Sequence, residues 1–399
     1  YNNKFEKASW DEVYKIIKSK IENANKDKIC GFVGDLTNME TSFIFKEFLE
    51  RTIDTKKYDF RSTKRFIDNS KRENYLFNSS INGIEEADLI LLIGTNPRFE
   101  ATMINARIRK AYLSNNTRVI SLNDLGDLTY NYQSLNGKVK TIKDIFENNN
   151  ELSKEIIESK KPMIVFGESF FKIKSASYLF NLSKKFLSKN NKLNDDWNPI
   201  NILSVDAATV GNLDLDIIDK SNKILDELHE NKFEIIFLLG QDNLDFKKKD
   251  EFIIYQGSHG DRGAEIADII LPGAAYTEQS GHYTNLEGKL QKAYKASYPP
   301  GDAKEDWQII NDLAEVMNNR KLFNDKDELE SSMFNYLKMN KDQQNTELED
   351  KLNESDFADE FLKVDYKDYY FSNVIARSSK TMLECNNAKI DLKKTGTEG

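Results

Sequence analysis

DLILLIGTNP (Asp88 to Pro97) and EIIFLLGQDN (Glu234 to Asn243) decide the fold. Each is a continuous apolar run of strand length, not an alternating one, which is the pattern of a strand buried on both faces of a parallel sheet. Each closes on a glycine and polar turn residues, the punctuation that ends a strand ahead of a helix. The two stretches read as equivalent strand ends in two halves of the chain.

Working outward, further strands are expected at Lys28 to Gly34, Arg118 to Leu122, Pro162 to Phe166, Asn201 to Val205 and Ile269 to Leu271. Helices are expected between them. Ser9-Trp10-Asp11-Glu12 has the form of a capping box opening a helix to about Ala24. Apolar residues at helical spacing mark Met39 to Ile53, and further helices are read from Pro97 to about Leu113, over Asn150 to Ser159 and over Ile173 to Leu187. Strand and helix alternation of this kind means α/β with parallel sheet. The economical arrangement is two Rossmann-like parallel-sheet units, over 1–150 and 151–318, followed by a charged, partly mobile extension over 319–399. Residues 318–360 contain no Gly or Pro and are rich in charge, Asn and Gln, which reads as a mobile or helical segment outside the core. The aromatics of Asp365 to Phe371 are expected to pack back on a surface, and residues from about Asn387 to be disordered.

A chain of 399 residues with 39% hydrophobic content can bury a large core. Its formal charge of -9 opposes a nucleic acid or an anionic membrane surface as main partner. No apolar run of membrane-spanning length and no signal peptide is read, so the chain is expected to be soluble. Cys30 and Cys385 stand far apart, without the spacing of a zinc or iron-sulfur site, and both read as structural thiols.

Glycine and proline are scarce, and four of the 18 glycines and three of the six prolines fall between Ala267 and Gly301. There Pro272 and Gly273 end a strand, and Gly281 and Gly288 are expected to permit turns. In open parallel sheets, ligands sit at the carboxyl ends of strands near a switch in strand order, which is where Gly94 to Arg98, Gly240 to Asn243 and Gly257 to Gly263 are expected. Pro97 at a first helical position leaves backbone N–H groups and Arg98 at a helix N-terminus, an arrangement that can hold a phosphate; the competing reading pairs Arg98 with carboxylates. Gly257, Gly260 and Gly263 recur every third residue, unlike the dinucleotide fingerprint. His259 and Asp261 could form an acid–base pair, although a structural role is favoured for residues two apart in a turn. His229 and His282 lack a ligand partner at a recognised spacing, so no metal site is expected.

Several ordered blocks then resemble one family: GTNPRFEATMINARIRKAYL (Gly94 to Leu113), DLTYNY (Asp127 to Tyr132), YQGSHGDRGAEIADIILPGAAYTEQSGHYTNLEGKLQ (Tyr255 to Gln291), PPGDAKEDWQII (Pro299 to Ile310) and DYYFSNVIARSSKTMLEC (Asp368 to Cys385). They are similar to the C-terminal, molybdopterin oxidoreductase-like part of the large iron-sulfur subunit (75 kDa type) of respiratory complex I, NADH:ubiquinone oxidoreductase. The resemblance implies a fold of the molybdopterin oxidoreductase type, in which Gly94 to Glu100 and Gly257 to Gln291 correspond to the loops that hold a molybdopterin dinucleotide. In complex I it implies that fold without the molybdenum cofactor, serving NADH to quinone electron transfer as a non-catalytic structural domain. No catalytic residue, cofactor or metal is then expected in this chain. Gly94, Asn96, Arg98, Gly257, His259, Gly260, Asp261, Arg262, Asn285 and Glu287 would be a vestigial cradle.

The resemblance further implies iron-sulfur clusters in an N-terminal region outside this chain, and other peripheral-arm subunits as partners, with no nucleic acid and no direct membrane insertion. The location implied is the matrix side of the mitochondrial inner membrane or the cytoplasmic side of a bacterial one. The alternative is an active molybdopterin-dinucleotide oxidoreductase subunit. His282 stands where the family more often has a small residue, and Lys289 where Arg is usual, a change that weakens bidentate phosphate recognition.

Overall fold

The computed structural model describes residues 5–343 and 354–395. Its strands are β1 (Ile29–Val33), β2 (Tyr58–Asp59), β3 (Leu89–Ile93), β4 (Arg118–Ser121), β5 (Gln133–Ser134), β6 (Pro162–Gly167), β7 (Ile200–Leu203), β8 (Ile235–Leu239), β9 (Phe252–Gly257), β10 (Ile269–Pro272), β11 (Gly281–Thr284) and β12 (Leu290–Ala293). A first sheet has the order β10-β9-β8-β1-β2 and a second β5-β4-β3-β6-β7, with every pair in both sheets parallel. β11 and β12 form an antiparallel hairpin.

The two expected Rossmann-like units are present, but the boundary at 150 is corrected. β1 pairs with β8, Ile29 opposite Ile235, and the whole second sheet lies in sequence between β2 and β8. The second unit is therefore inserted into the first. Apolar runs identify strands but not their neighbours, which are set by how the connections close.

Both central strands explain why their sequences do not alternate. On β1 and β8, Ile29, Val33, Ile235, Phe237 and Leu239 face one cluster, shared with the helices Trp10–Asn23, Met39–Glu47 and Asp306–Asn318. Cys30, Phe32, Ile236 and Leu238 face the opposite cluster, under the helices Ile224–His229 and Arg262–Ile266. The second sheet repeats this, with Leu89, Leu91 and Ile93 on one side and Ile90 and Leu92 on the other. Each such side chain contributes roughly 1.5–3 kcal/mol by burial. The Ser9 hydroxyl caps the first helix, accepting from the Glu12 N–H at 3.3 Å.

Several expectations are corrected at the margins. The helix after Pro97 is broken at Ala101 into Pro97–Glu100 and Thr102–Asn115. Gly281 is not in a turn but in β11, where a Cβ would come within 2.5 Å of the Asn38 side chain; Gly288 does turn the hairpin, at φ +78°. Part of the charged extension belongs to the core: the helix Lys326–Gln343 buries Leu329 and Met333 completely. These two apolar positions at i and i+4 lay inside a strongly polar composition. Residues 344–353 of that segment lie outside the described residues. The expected disorder from Asn387 is replaced by a helix over Lys380–Thr395, which no Gly or Pro interrupts; residues 396–399 lie outside the described residues. β9, the hairpin and the helix Asp306–Asn318 are additions to what the sequence suggested.

Candidate functional site

In the first sheet the strand order reverses between β1 and β8, and in the second between β3 and β6. The crevice beyond such a switch point is where open parallel sheets receive ligands. Both switch points are built alike. Gly94 and Gly240, ending the two stretches that decide the fold, have φ of +70° and +58°. Each faces a glycine on the neighbouring strand end: a Cβ on Gly167 would lie 2.3 Å from the Gly94 carbonyl oxygen, and one on Gly34 would lie 1.8 Å from that of Gly240. The equivalence of the two strand ends, legible in sequence, is thus a shared backbone crossing.

At the second-sheet crevice, Asn96 caps the turn, its Oδ1 accepting from the Arg98 N–H at 3.2 Å. The donors of this turn are taken up by a side chain of the chain itself. Glu100 Oε2 accepts from the Asn96 N–H at 2.5 Å and from the Thr95 hydroxyl at 2.6 Å. Burial pushes the Glu100 carboxyl up to about 7, against the hydrogen bonds from Thr95 and Asn96 that favour its charge. Arg98 points away and pairs with Asp127 at 2.6 Å, as the carboxylate reading of this arginine expects. Arg107 likewise pairs with Glu85 at 2.6 Å.

The loop after β9 follows the same plan. Asp242 Oδ1 accepts from the Gly263 N–H at 3.0 Å and Asp242 Oδ2 from the Tyr255 hydroxyl at 2.9 Å. Burial raises this carboxyl to about 6. Gly257 and Gly263 make room for the Tyr255 ring, within 2.7 Å of where each Cβ would be, whereas Gly260 faces no atom within 4 Å. His259 and Asp261 do not pair: His259 Nδ1 lies 2.9 Å from Ser258 Oγ, and Asp261 binds Arg377 at 2.5 Å. Arg262 is held by Asp245 at 2.5 Å. Asn285 and Glu287 belong to the hairpin turn: Asn285 Oδ1 accepts from the Glu287 and Lys289 N–H groups, and Glu287 Oε1 accepts from the Ile81 N–H at 2.7 Å. All these contacts are internal and structural.

What joins the two crevices is the C-terminal segment, which the cradle residues did not include. The Leu362 N–H donates to the Gly137 carbonyl at 2.9 Å and its own carbonyl accepts from Asn123 Nδ2 at 2.7 Å, fixing the segment beyond β4. Two residues past Gly167, the Ser169 hydroxyl exchanges hydrogen bonds with the backbone of Asp365 at 3.0 and 2.9 Å. Tyr366 stacks on Phe99, centroids 4.8 Å apart and planes 10° from parallel, as the expectation that these aromatics return to a surface requires. Lys367 then reaches Asp206, beyond β7, at 2.7 Å and Asp35, one residue past Gly34, at 3.1 Å. Burial lowers its pKa, and the two carboxylates outweigh that, leaving it above the usual lysine value. Arg377 completes the run on Asp261. One segment therefore crosses the carboxyl ends of both sheets. Nothing in its composition signalled this, because Lys367 is one lysine among many and its two partners converge only in the fold.

The donors that a molybdopterin dinucleotide would need are engaged internally. Its phosphates would meet the carboxyls of Glu100 and Asp242 where they need free N–H groups, and Arg98, Arg262 and Arg377 are already matched by Asp127, Asp245 and Asp261. The self-filled site has a pH signature. A glutamate that titrates at 4.5 in its ordinary state and at about 7 in the fold keeps an extra proton in the native state between those values. The stability it contributes is whole below the lower value and is lost as pH rises through the upper one. Between those limits wild type should lose on the order of 3 kcal/mol relative to Glu100→Gln, read by urea unfolding at each pH. A difference that stays constant with pH would mean that Glu100 titrates normally.

A second constellation was missed for a different reason. Glu40, His282 and Glu330 come from three distant segments, and an atom of each lies within 4.8 Å of the others. Spacing in sequence carries no trace of it.

Residues 1–316 match the family model for molybdopterin oxidoreductases, and residues 328–385 that for the C-terminal part of the G subunit of NADH-ubiquinone oxidoreductase. The NADH-ubiquinone oxidoreductase 75 kDa subunit of Reclinomonas americana is 34% identical over 97% of this chain and 59% of its own length. The G subunit of NADH-quinone oxidoreductase from Rickettsia bellii is 36% identical over 99% and 58%. The mitochondrial 78 kDa subunit of Candida albicans is 34% identical over 96% and 55%. The chain thus spans somewhat more than half the length of these relatives. Among solved structures, a chain of the formyltransferase/hydrolase complex of Methylorubrum extorquens shares the fold, with a TM-score of 0.50 at 10% identity over 78% of this chain and 97% of that one.

Proposed function

This chain belongs to the molybdopterin oxidoreductase family, with the G subunit of NADH-quinone oxidoreductase among its relatives, and on that footing we propose that it is a non-catalytic structural domain of such a subunit. Its role in this reading is to shape and support the part of the subunit that carries the iron-sulfur clusters during NADH to quinone electron transfer. The observation that carries the reading is the C-terminal segment with Lys367 between Asp35 and Asp206, because it lies across the crevices where the family's cofactor would enter. Glu100 and Asp242 add that each N–H cradle already has an acceptor. An electron carrier in this domain would need a ligand set that the cradle residues do not offer.

The partners in this reading are the other subunits of the peripheral arm of complex I. No helix among the described residues is long and apolar enough to cross a membrane. The place proposed is the matrix face of the mitochondrial inner membrane or the cytoplasmic face of a bacterial one. Affinity isolation of the chain from its native cells tests this. The expected outcome is recovery with an NADH-oxidising assembly containing iron-sulfur clusters, and molybdenum and tungsten at background by elemental analysis. Recovery only outside such an assembly, or near-stoichiometric molybdenum or tungsten, would overturn the proposal.

A further inference from the structure

Glu40 opens the helix Met39–Glu47 and is 1% exposed, His282 lies on β11 at 8%, and Glu330 stands on the helix Lys326–Gln343. The Glu40 carboxylate accepts from the His282 backbone N–H at 2.7 Å and lies 2.5 Å from His282 Nδ1. The ring is held edge-on by Phe334, one turn beyond Glu330, with centroids 5.1 Å apart. One turn before Glu330, Lys326 donates to the Ser280 carbonyl at 2.6 Å, so the helix is pinned to the chain just ahead of β11. Three segments far apart in sequence are thereby fixed around one point.

Two carboxylates brought this close inside a protein need a compensating cation. The fold already supplies a provisional one. Lys292 is the direct cross-strand partner of His282 in the hairpin, and its ammonium lies 3.0 Å from both oxygens of Glu330. That lysine is about one-third exposed and has a flexible stem, so it can withdraw to solvent. One imidazole nitrogen and two carboxylates then remain. Together with a divalent ion they make a neutral cluster, and nitrogen with oxygen donors is a set that zinc accepts. Zinc bonds of about 2.0–2.2 Å place tetrahedral ligand atoms about 3.3 Å apart. The observed separations, 2.5 Å for the closest pair and all within 4.8 Å, bracket that figure. Binding parts the Glu40 and His282 atoms by about 0.8 Å and draws the Glu330 carboxylate inward.

We propose that Glu40, His282 and Glu330 form a binding site for a divalent transition-metal ion, zinc foremost, that clamps the β11–β12 hairpin and the Lys326–Gln343 helix onto the Met39–Glu47 helix. Lys292 competes with the metal for Glu330. None of the three is among the ten cradle residues, although His282 lies in the Gly257 to Gln291 stretch and Glu40 follows β1.

Zinc chloride titrated into the full 399-residue chain by calorimetry, with bound metal counted after dialysis, tests the site. The chain should carry Cys385→Ser, because that exposed thiol is another soft ligand. One equivalent of zinc is expected, with a raised thermal midpoint. His282→Gln, which keeps a donor toward Glu40, and Glu330→Gln, at a less buried position, should each weaken binding at least about tenfold and abolish the thermal shift. Lys292→Met should tighten binding severalfold, a gain that a merely structural cluster would not give. Absence of a bound equivalent, or binding unchanged in either glutamine variant, would overturn the proposal.

Discussion

Arg61→Leu should destabilise the chain by about 3–5 kcal/mol in urea unfolding, the loss typical of a buried ion pair deprived of one partner. Arg61 is 2% exposed and Asp59, at the end of β2, is fully buried. The guanidinium clasps both Asp59 oxygens, with Nε at 3.1 and 3.0 Å and Nη2 at 2.6 Å. It also donates to the carbonyls of Arg65 and Asp219, at 3.1 and 2.8 Å, and to Asn222. One side chain thus ties the edge strand of the first sheet to the loop ahead of the helix Ile224–His229. After the substitution, Asp59 would keep only the N–H donors of Arg61 and Asp219, at 2.8 and 3.2 Å, for a buried negative charge. Replacing both partners by apolar residues of similar volume should recover most of the loss. A single variant within about 1 kcal/mol of wild type would show that water reaches the pair, as at exposed ion pairs.

The second large effect is expected at the switch points. Gly34→Ala would drive a methyl group to 1.8 Å from the Gly240 carbonyl oxygen, and Gly167→Ala to 2.3 Å from that of Gly94. Both obstacles are backbone, so relief requires separating neighbouring strands at the centre of a sheet. Each variant should lose at least about 3 kcal/mol, measured by thermal or urea unfolding, among the larger effects of a single substitution. Gly260→Ala is the contrast: its methyl group meets no atom within 4 Å, and the change should stay within about 0.5 kcal/mol. Equal behaviour of the three variants would mean that the strand ends part easily, and the rigid crossing described for both crevices would be wrong.

The sequence revealed the elements of this fold better than their partnerships. DLILLIG and EIIFLLG were legible because burial on both faces leaves no polar alternation, and their terminal glycines stood out in a glycine-poor chain. That β1 joins β8 was not legible, since register between residues 206 positions apart (29 and 235) depends on the closed fold. The cradle loops were placed correctly at strand ends. Their acceptors were not, because Glu100 and Asp242 resemble every other carboxylate until burial and a nearby N–H distinguish them. Leu329 and Met333 show the same limit, as two apolar residues in a polar stretch still suffice to seat a helix.

The insertion of one sheet within another also orders events in time. During synthesis β1 emerges with the apolar run Ile29 to Val33, yet its β8 neighbour follows 206 residues later, reckoned from 29 to 235. At about 5–20 residues per second the ribosome takes roughly 10–40 s to deliver it. All five strands of the second sheet, 89 to 203, leave the ribosome within that interval. The inserted unit can therefore close first, while β1 waits with one edge unpaired, and the segment that spans both crevices arrives only after both sheets.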